Sequence, residues 1–202
     1  MKLIKEMEAK IYGDRSIHAT MGSSKYAHHK RQKEDFYATD PMALELFPLF
    51  HELNKVWECA VGQGHLANVL QRHGKLARVS DFIDRGYPDT EVIDFLDYDG
   101  RWAGDILTNP PFKLSSHFLE KGLEVIEYGH KLCLFLPIRY LEGKARRKLF
   151  DIAPPKIIYV ASNRICCAKD GDFETYTAKA ICYGWFVWEK GFQGSATLKW
   201  FN

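Results

Sequence analysis

Asn109, Pro110, Pro111 and Phe112 stand at the end of the apolar run 105–110, and they are the residues of this chain whose types and order most directly suggest chemistry. Two consecutive prolines remove two backbone donors and stiffen the turn. The Asn109 side-chain oxygen and the Pro110 carbonyl are then two fixed acceptors with an aromatic ring beside them. Two acceptors can hold both hydrogens of a planar exocyclic amine while its ring stacks on Phe112. A turn that was merely rigid would not require Asn and Phe around the prolines. An aromatic amine is a poor nucleophile because its lone pair is delocalised. Accepting its hydrogens favours the pyramidal nitrogen in the transition state. Such an arrangement requires neither a metal nor a covalent enzyme intermediate.

A second set lies earlier. The run 55–61 ends in Glu58, Cys59, Ala60 and Val61, followed by Gly62-Gln63-Gly64. Glycines at a strand–turn–helix junction let a ligand approach the backbone where helix N–H groups point outward. A tight turn needs glycine for purely structural reasons as well, so both readings stand for these residues alone. The pattern G-Q-G-H-L-A is an incomplete dinucleotide fingerprint, and no phosphate-binding Gly-Lys-Ser/Thr follows. Acids come next: Asp81 and Asp84 after the second apolar run, Asp94 and Asp97 after the third. Carboxylates at the C-terminal edge of a parallel sheet can bind ribose hydroxyls or an adenine amino group. Asp84 and Asp97 read as turn acids.

These residues need a frame, and the pattern supplies one. Apolar runs at 55–61, 77–83, 91–96, 105–110, 131–138, 156–162 and 178–190 read as strands, with 195–201 as a further edge strand. Helices are expected over 65–73, 114–128 and 141–150, and Asp40-Pro41 opens a short one that Pro48 stops. The near-continuous apolar character of 131–138 suits a strand covered on both faces. Alternation at this spacing predicts an α/β sandwich around a mostly parallel sheet. Trp185, Phe186 and Trp188 alternate along a strand and read as core, and the vicinal Cys166 and Cys167 read as packing residues.

The chain has 202 residues, 46% of them hydrophobic, which is enough for one core-forming domain. With 28 basic and 26 acidic residues the net charge is +2, so a basic coat for polyanions is absent and any such site is a local patch. No apolar stretch reaches the length of a membrane span, and acids within the first ten residues exclude a signal peptide. Five cysteines without a CxxC pair read as reduced thiols in a cytoplasm, and structural zinc is not expected.

Taken together, Gly62-Gln63-Gly64, the acids and Asn109-Pro110-Pro111-Phe112 resemble the class I S-adenosylmethionine-dependent methyltransferases of the amino-methylating group. The likeness runs from about Gly22 to the C-terminus and is strongest to small DNA adenine-N6 methyltransferase-like proteins of phages and prophages. The resemblance implies a Rossmann-like class I methyltransferase fold, with a mostly parallel seven-stranded sheet, helices on both faces and an antiparallel C-terminal strand. It implies an N-terminal extension over 1–40 that closes over the site, and a single domain over 41–202 without a large separate target-recognition domain. It implies S-adenosylmethionine as cofactor, held by Tyr37, Thr39, Glu58, Cys59, Ala60, Gly62, Gly64, Asp81, Asp94, Phe95 and Asn109. Within that set Glu58, Ala60, Gly62 and Gly64 line the methionine half, Asp81 meets the ribose, and Asp94 with Phe95 meets the adenine. Cys59 departs from the proline frequent at its position in such proteins. The implied reaction is methylation of adenine N6 in DNA, with the base flipped out against Phe112, in a bacterial or phage-infected cytoplasm.

The same four residues serve enzymes that methylate amino groups of RNA bases or the glutamine amide of proteins. A cofactor-binding module without catalysis is the alternative from another class, and a nicotinamide dehydrogenase is a weaker one. Basic residues that could hold phosphate are Lys30 and Arg31 before the fold, Lys144, Arg146 and Arg147 in the segment 141–150, and Arg164. A solvated face is an equally good reading of these runs. The polar stretch 162–179 is expected to be a loop that contacts the target.

Overall fold

The computed structural model describes residues 36–174 and 181–202. Its centre is an eight-stranded sheet in the order β4-β3-β2-β5-β6-β9-β7-β10. The strands are β2 (Val56–Glu58), β3 (Leu76–Asp81), β4 (Glu91–Val92), β5 (Ile106–Thr108), β6 (Lys131–Pro137), β7 (Ile157–Ala161), β9 (Tyr183–Glu189) and β10 (Thr197–Phe201). All neighbours pair in parallel except β9, which runs antiparallel between β6 and β7. The expected edge strand is β10, an eighth strand added beside β7.

Helices cover both faces because the strands are apolar on both. Along β6, Leu132, Leu134 and Leu136 enter one core while Cys133 and Phe135 enter the other; along β9, Phe186 and Trp188 oppose Trp185 and Val187. This is period-two geometry with no polar face left over. Helices α1 (Met42–Glu45) and α2 (His65–Arg72) pack on the Trp185 side; α3 (Ser115–Val125) and α4 (Lys144–Ile152) pack on the Trp188 side. Trp185 Nε1 donates to the Ala43 carbonyl at 2.7 Å and so ties α1 to the sheet. Asp40 caps α1 as expected, its Oδ1 accepting the Met42 N–H at 3.0 Å. Buried Asp105 joins three segments at the start of β5: its carboxylate accepts the N–H groups of Asn54 at 2.8 Å and Lys131 at 2.7 Å, with His130 Nδ1 at 3.6 Å.

Two expectations need correction. The strand expected over 91–96 is only Glu91–Val92. Asp94 accepts the Leu96 N–H at 2.9 Å and turns the chain into a 3-10 helix over Phe95–Asp97 instead. The stretch 162–179 is not all loop either. Within it β8 (Cys167–Lys169) pairs antiparallel with β1 (Tyr37–Thr39) as a separate two-stranded sheet. Cys166 and Cys167 are buried, as expected of packing residues.

Candidate active site

Strand order reverses between β2 and β5: from β2 the chain proceeds outward to β3 and β4, and the next strand returns to the other side of β2. Crossover connections leave on opposite faces at such a point and open a crevice beyond the C-terminal strand ends. A cleft lies there. Its walls include Glu58, Cys59 and Ala60 after β2, Asp81 at the end of β3, Asp94 and Phe95 after β4, and Asn109, Pro110, Pro111 and Phe112 after β5. Tyr37 and Thr39 of β1 complete the wall. These residues come from five separate stretches of sequence, and the fold brings them to one edge.

Gly62 and Gly64 stand behind that wall. Both have positive φ, +57° and +85°. A Cβ at Gly62 would fall 2.4 Å from the Phe36 ring, and one at Gly64 would fall 1.8 Å from the Tyr87 ring. The turn needs glycine for its conformation and for this packing. The Gly62 N–H donates to Asp81 Oδ2 at 2.8 Å, and Asp81 Oδ1 accepts the Ile83 N–H at 3.1 Å. Asp81 thereby links the glycine turn to β3 while facing the cleft.

Electrostatics set the cleft apart from the surface. Burial pushes the Glu58 carboxyl up to about 8; the Thr108 hydroxyl and the Ala60 N–H, 3.2 Å from Oε1, pull it back, and Asp81 adds to the rise. Burial also raises Asp81 above the usual carboxylate range, against the hydrogen bonds from Ile83 and Gly62 and the charge of Arg85. The Cys59 thiol is pushed far up by burial and by Glu58, so it stays protonated and is no nucleophile. A buried acid with a half-buried one near it forms a site that a cation would relieve.

The Asn109 amide has a fixed orientation. Its Nδ2 donates to Thr39 Oγ1 at 2.8 Å and to the Tyr37 carbonyl at 3.2 Å. A carbonyl can only accept, so the nitrogen must be the atom on that side. The buried Asn109 Oδ1 has no hydrogen-bond partner among the described residues. Phe112 stacks on Tyr37 at 5.8 Å between ring centroids, with an interplanar angle of 26°, and its ring lies 6.0 Å from that of Tyr183. Phe95 lies edge-on to Trp57 at 5.3 Å and beside Phe118 at 5.1 Å.

Phe36, His65, Phe82, Arg85 and Phe118 also line the cleft, and the sequence alone did not single them out. The Arg85 guanidinium sits 4.5 Å over the Phe36 ring. Its position four residues after Asp81 was the available signal. The basic residues proposed for phosphate are not among the lining residues: Arg147 pairs with Asp151 at 2.7 Å, Arg146 lies over the Tyr140 ring at 5.1 Å, and Lys144 and Arg164 are exposed. Lys30 and Arg31 lie outside the described residues. Among the described residues no cluster of three His, Cys, Asp or Glu side chains could hold a metal.

The order of β2 to β7 with antiparallel β9 inserted decides the architecture. The fold is Rossmann-like, in the class I methyltransferase arrangement. No family model and no curated protein matches the chain. Among solved structures it is similar to a Listeria monocytogenes protein described as a class I S-adenosylmethionine-dependent methyltransferase, at 13% identity and TM-score 0.48, over 72% of this chain and 57% of that one. The chain thus spans little more than half of that protein. It is also similar to magnesium protoporphyrin IX methyltransferase from Synechocystis, solved with S-adenosylmethionine bound, at 13% identity and TM-score 0.44, over 92% and 90% of the two chains. A third is an S-adenosylmethionine-dependent O-methyltransferase from Thermotoga maritima, at 13% identity and TM-score 0.44, over 96% and 73%.

Proposed function

We propose that this protein is an S-adenosylmethionine-dependent N-methyltransferase whose acceptor is an exocyclic amine, adenine N6 in DNA, and that it works in the cytoplasm of a bacterial or phage-infected cell. The observation that carries this reading is the buried, unpartnered Asn109 Oδ1 on an amide whose nitrogen is already committed. A buried acceptor left without a donor costs about 1–3 kcal/mol, and a substrate N–H repays it.

The cleft suits the cofactor by chemistry. Among the residues that line it, Glu58 and Asp81 offer carboxyls to an ammonium group and to hydroxyls. Phe95 and Asp94 offer an aromatic edge and an acceptor to an adenine. When bound, S-adenosylmethionine supplies an electrophilic sulfonium methyl and leaves as S-adenosylhomocysteine. The chain's own residues do the rest. Asn109 Oδ1 and the Pro110 carbonyl accept the two amine hydrogens and draw the nitrogen towards its pyramidal, nucleophilic form. Phe112 presents a ring on which a base taken out of the duplex can stack. The two prolines hold both acceptors still, so positioning supplies much of the rate.

Nucleoside mass spectrometry on DNA from cells expressing the protein, in a host lacking its own adenine methylation, tests the reading. N6-methyladenine is expected with the intact protein and not with Asn109→Ala. Its absence despite cofactor binding sinks the DNA assignment and moves the search to RNA bases and protein glutamines.

A further inference from the structure

We propose that Thr39 is a positioning residue that orients the Asn109 amide, in place of the cofactor contact that the sequence resemblance implies for it. The inference rests on the reading of Asn109 as the amine acceptor. An asparagine amide is nearly symmetric in shape, and its two orientations present opposite chemistry: Oδ1 accepts an amine hydrogen, and Nδ2 repels it. Something must choose between them, and the choice is made from outside the Asn-Pro-Pro-Phe turn. Asn109 Nδ2 donates to Thr39 Oγ1 at 2.8 Å and to the Tyr37 carbonyl at 3.2 Å, both on β1.

Thr39 is itself held in place. It is buried, and its position on β1 sets it beside Cys167. A hydroxyl oxygen keeps two lone pairs, so the Thr39 oxygen can accept from Asn109 Nδ2. The backbone around it is fixed by the β1–β8 pairing, which sets Thr39 opposite Cys167, and by two flanking bonds. The Asp40 N–H donates to the Cys166 carbonyl at 3.1 Å, and the Asp170 N–H donates to the Phe36 carbonyl at 3.1 Å. The short β1–β8 sheet is thus a brace for the catalytic amide.

The test uses the full-length protein with Thr39→Val, which keeps the shape and loses the hydroxyl, and Thr39→Ser, which keeps it. In a 15N spectrum with labelled asparagine, the Asn109 side-chain NH₂ resonances, assigned by their loss in Asn109→Ala, should exchange slowly in the wild type and in Thr39→Ser. In Thr39→Val they should move towards free-amide positions and exchange faster. In methyl-transfer assays kcat should fall about 10–100-fold in Thr39→Val and recover most of the way in Thr39→Ser, with the Kd for S-adenosylmethionine changed less than about threefold. Unchanged amide resonances in a folded Thr39→Val protein overturn the inference, with or without an active substrate in hand. So does a loss confined to cofactor affinity. Transfer that persists in Asn109→Ala overturns the function reading instead, and leaves the resonance result to stand alone.

Discussion

Glu58 is an acid kept out of water, with no cationic side chain among the described residues that compensates it, and its pH behaviour follows from that. The folded value of about 8 lies above the ordinary 4.5, so folding takes up a proton between those two pH values. The contribution of this group to stability is greatest below about 4.5, falls as pH rises through the window, and levels off above about 8. The slope from this group is at most about 1.4 kcal/mol per pH unit. Urea unfolding at pH 5, 6.5 and 8 should show this decline in the wild type and a flatter profile in Glu58→Gln. A ligand ammonium placed beside Glu58 favours the carboxylate, so S-adenosylmethionine binding near pH 7 should release a proton. Calorimetry in two buffers of different ionisation enthalpy measures that release, and equal heats in both would count against the placement. For Asn109→Ala, transfer should drop by at least about 100-fold with cofactor affinity within a few-fold, because the lost acceptor acts in the transition state.

At the level of elements, the β2–α2 turn and the β1–β8 brace meet at Phe36. Gly62 packs under the Phe36 ring, Arg85 covers it, and β1 continues from it to Thr39 and so to Asn109. A side chain at either glycine faces an unfavourable φ and an occupied space. Gly64→Ala should cost about 2–3 kcal/mol, since the Tyr87 ring it meets is buried, and Gly62→Ala should cost about 2 kcal/mol. Thermal unfolding of the two variants checks both values. Gly62→Ala should in addition weaken cofactor binding more than Gly64→Ala, because Phe36 lines the cleft and Tyr87 does not.

For the whole molecule, the sheet divides the interior into two cores, and β10 seals one end of it. Phe201 points into the Trp185 core at 6% exposure, while its neighbour Trp200 is 67% exposed. Phe201→Ala should therefore cost about 2–4 kcal/mol and Trp200→Ala less than about 0.5, a contrast that denaturant midpoints resolve. Methyl transfer per folded molecule should be unaffected by either, since β10 lies at the edge of the sheet, four strands from β5. Asp105→Ala should cost about 3 kcal/mol, because it takes the acceptor from the Asn54 and Lys131 N–H groups and so unties the start of β5 from the chain before β2 and from β6.

The long runs of this sequence determined most of the frame. Residues 132–138 and 183–188 carry no charged side chain, which suits strands covered on both faces, and both are central strands. The Asn-Pro-Pro-Phe turn and Asp81 carried their chemistry in local residue types and lie on the cleft wall, whereas Gly62 and Gly64 stand behind it. What local pattern could not contain was decided by the tertiary structure. The β1–β8 pairing joins two three-residue strands, each too short to show a period, and their bonds exist only when segments far apart in sequence meet. The third strand stopped early because an Asp94 side chain outcompeted the sheet for a backbone N–H. The raised value of Glu58 comes from burial, and the orientation of Asn109 comes from two acceptors about seventy residues earlier in the chain. Residue types set which atoms could react; desolvation and long-range hydrogen bonds set their protonation and direction, and both exist only once the chain has folded.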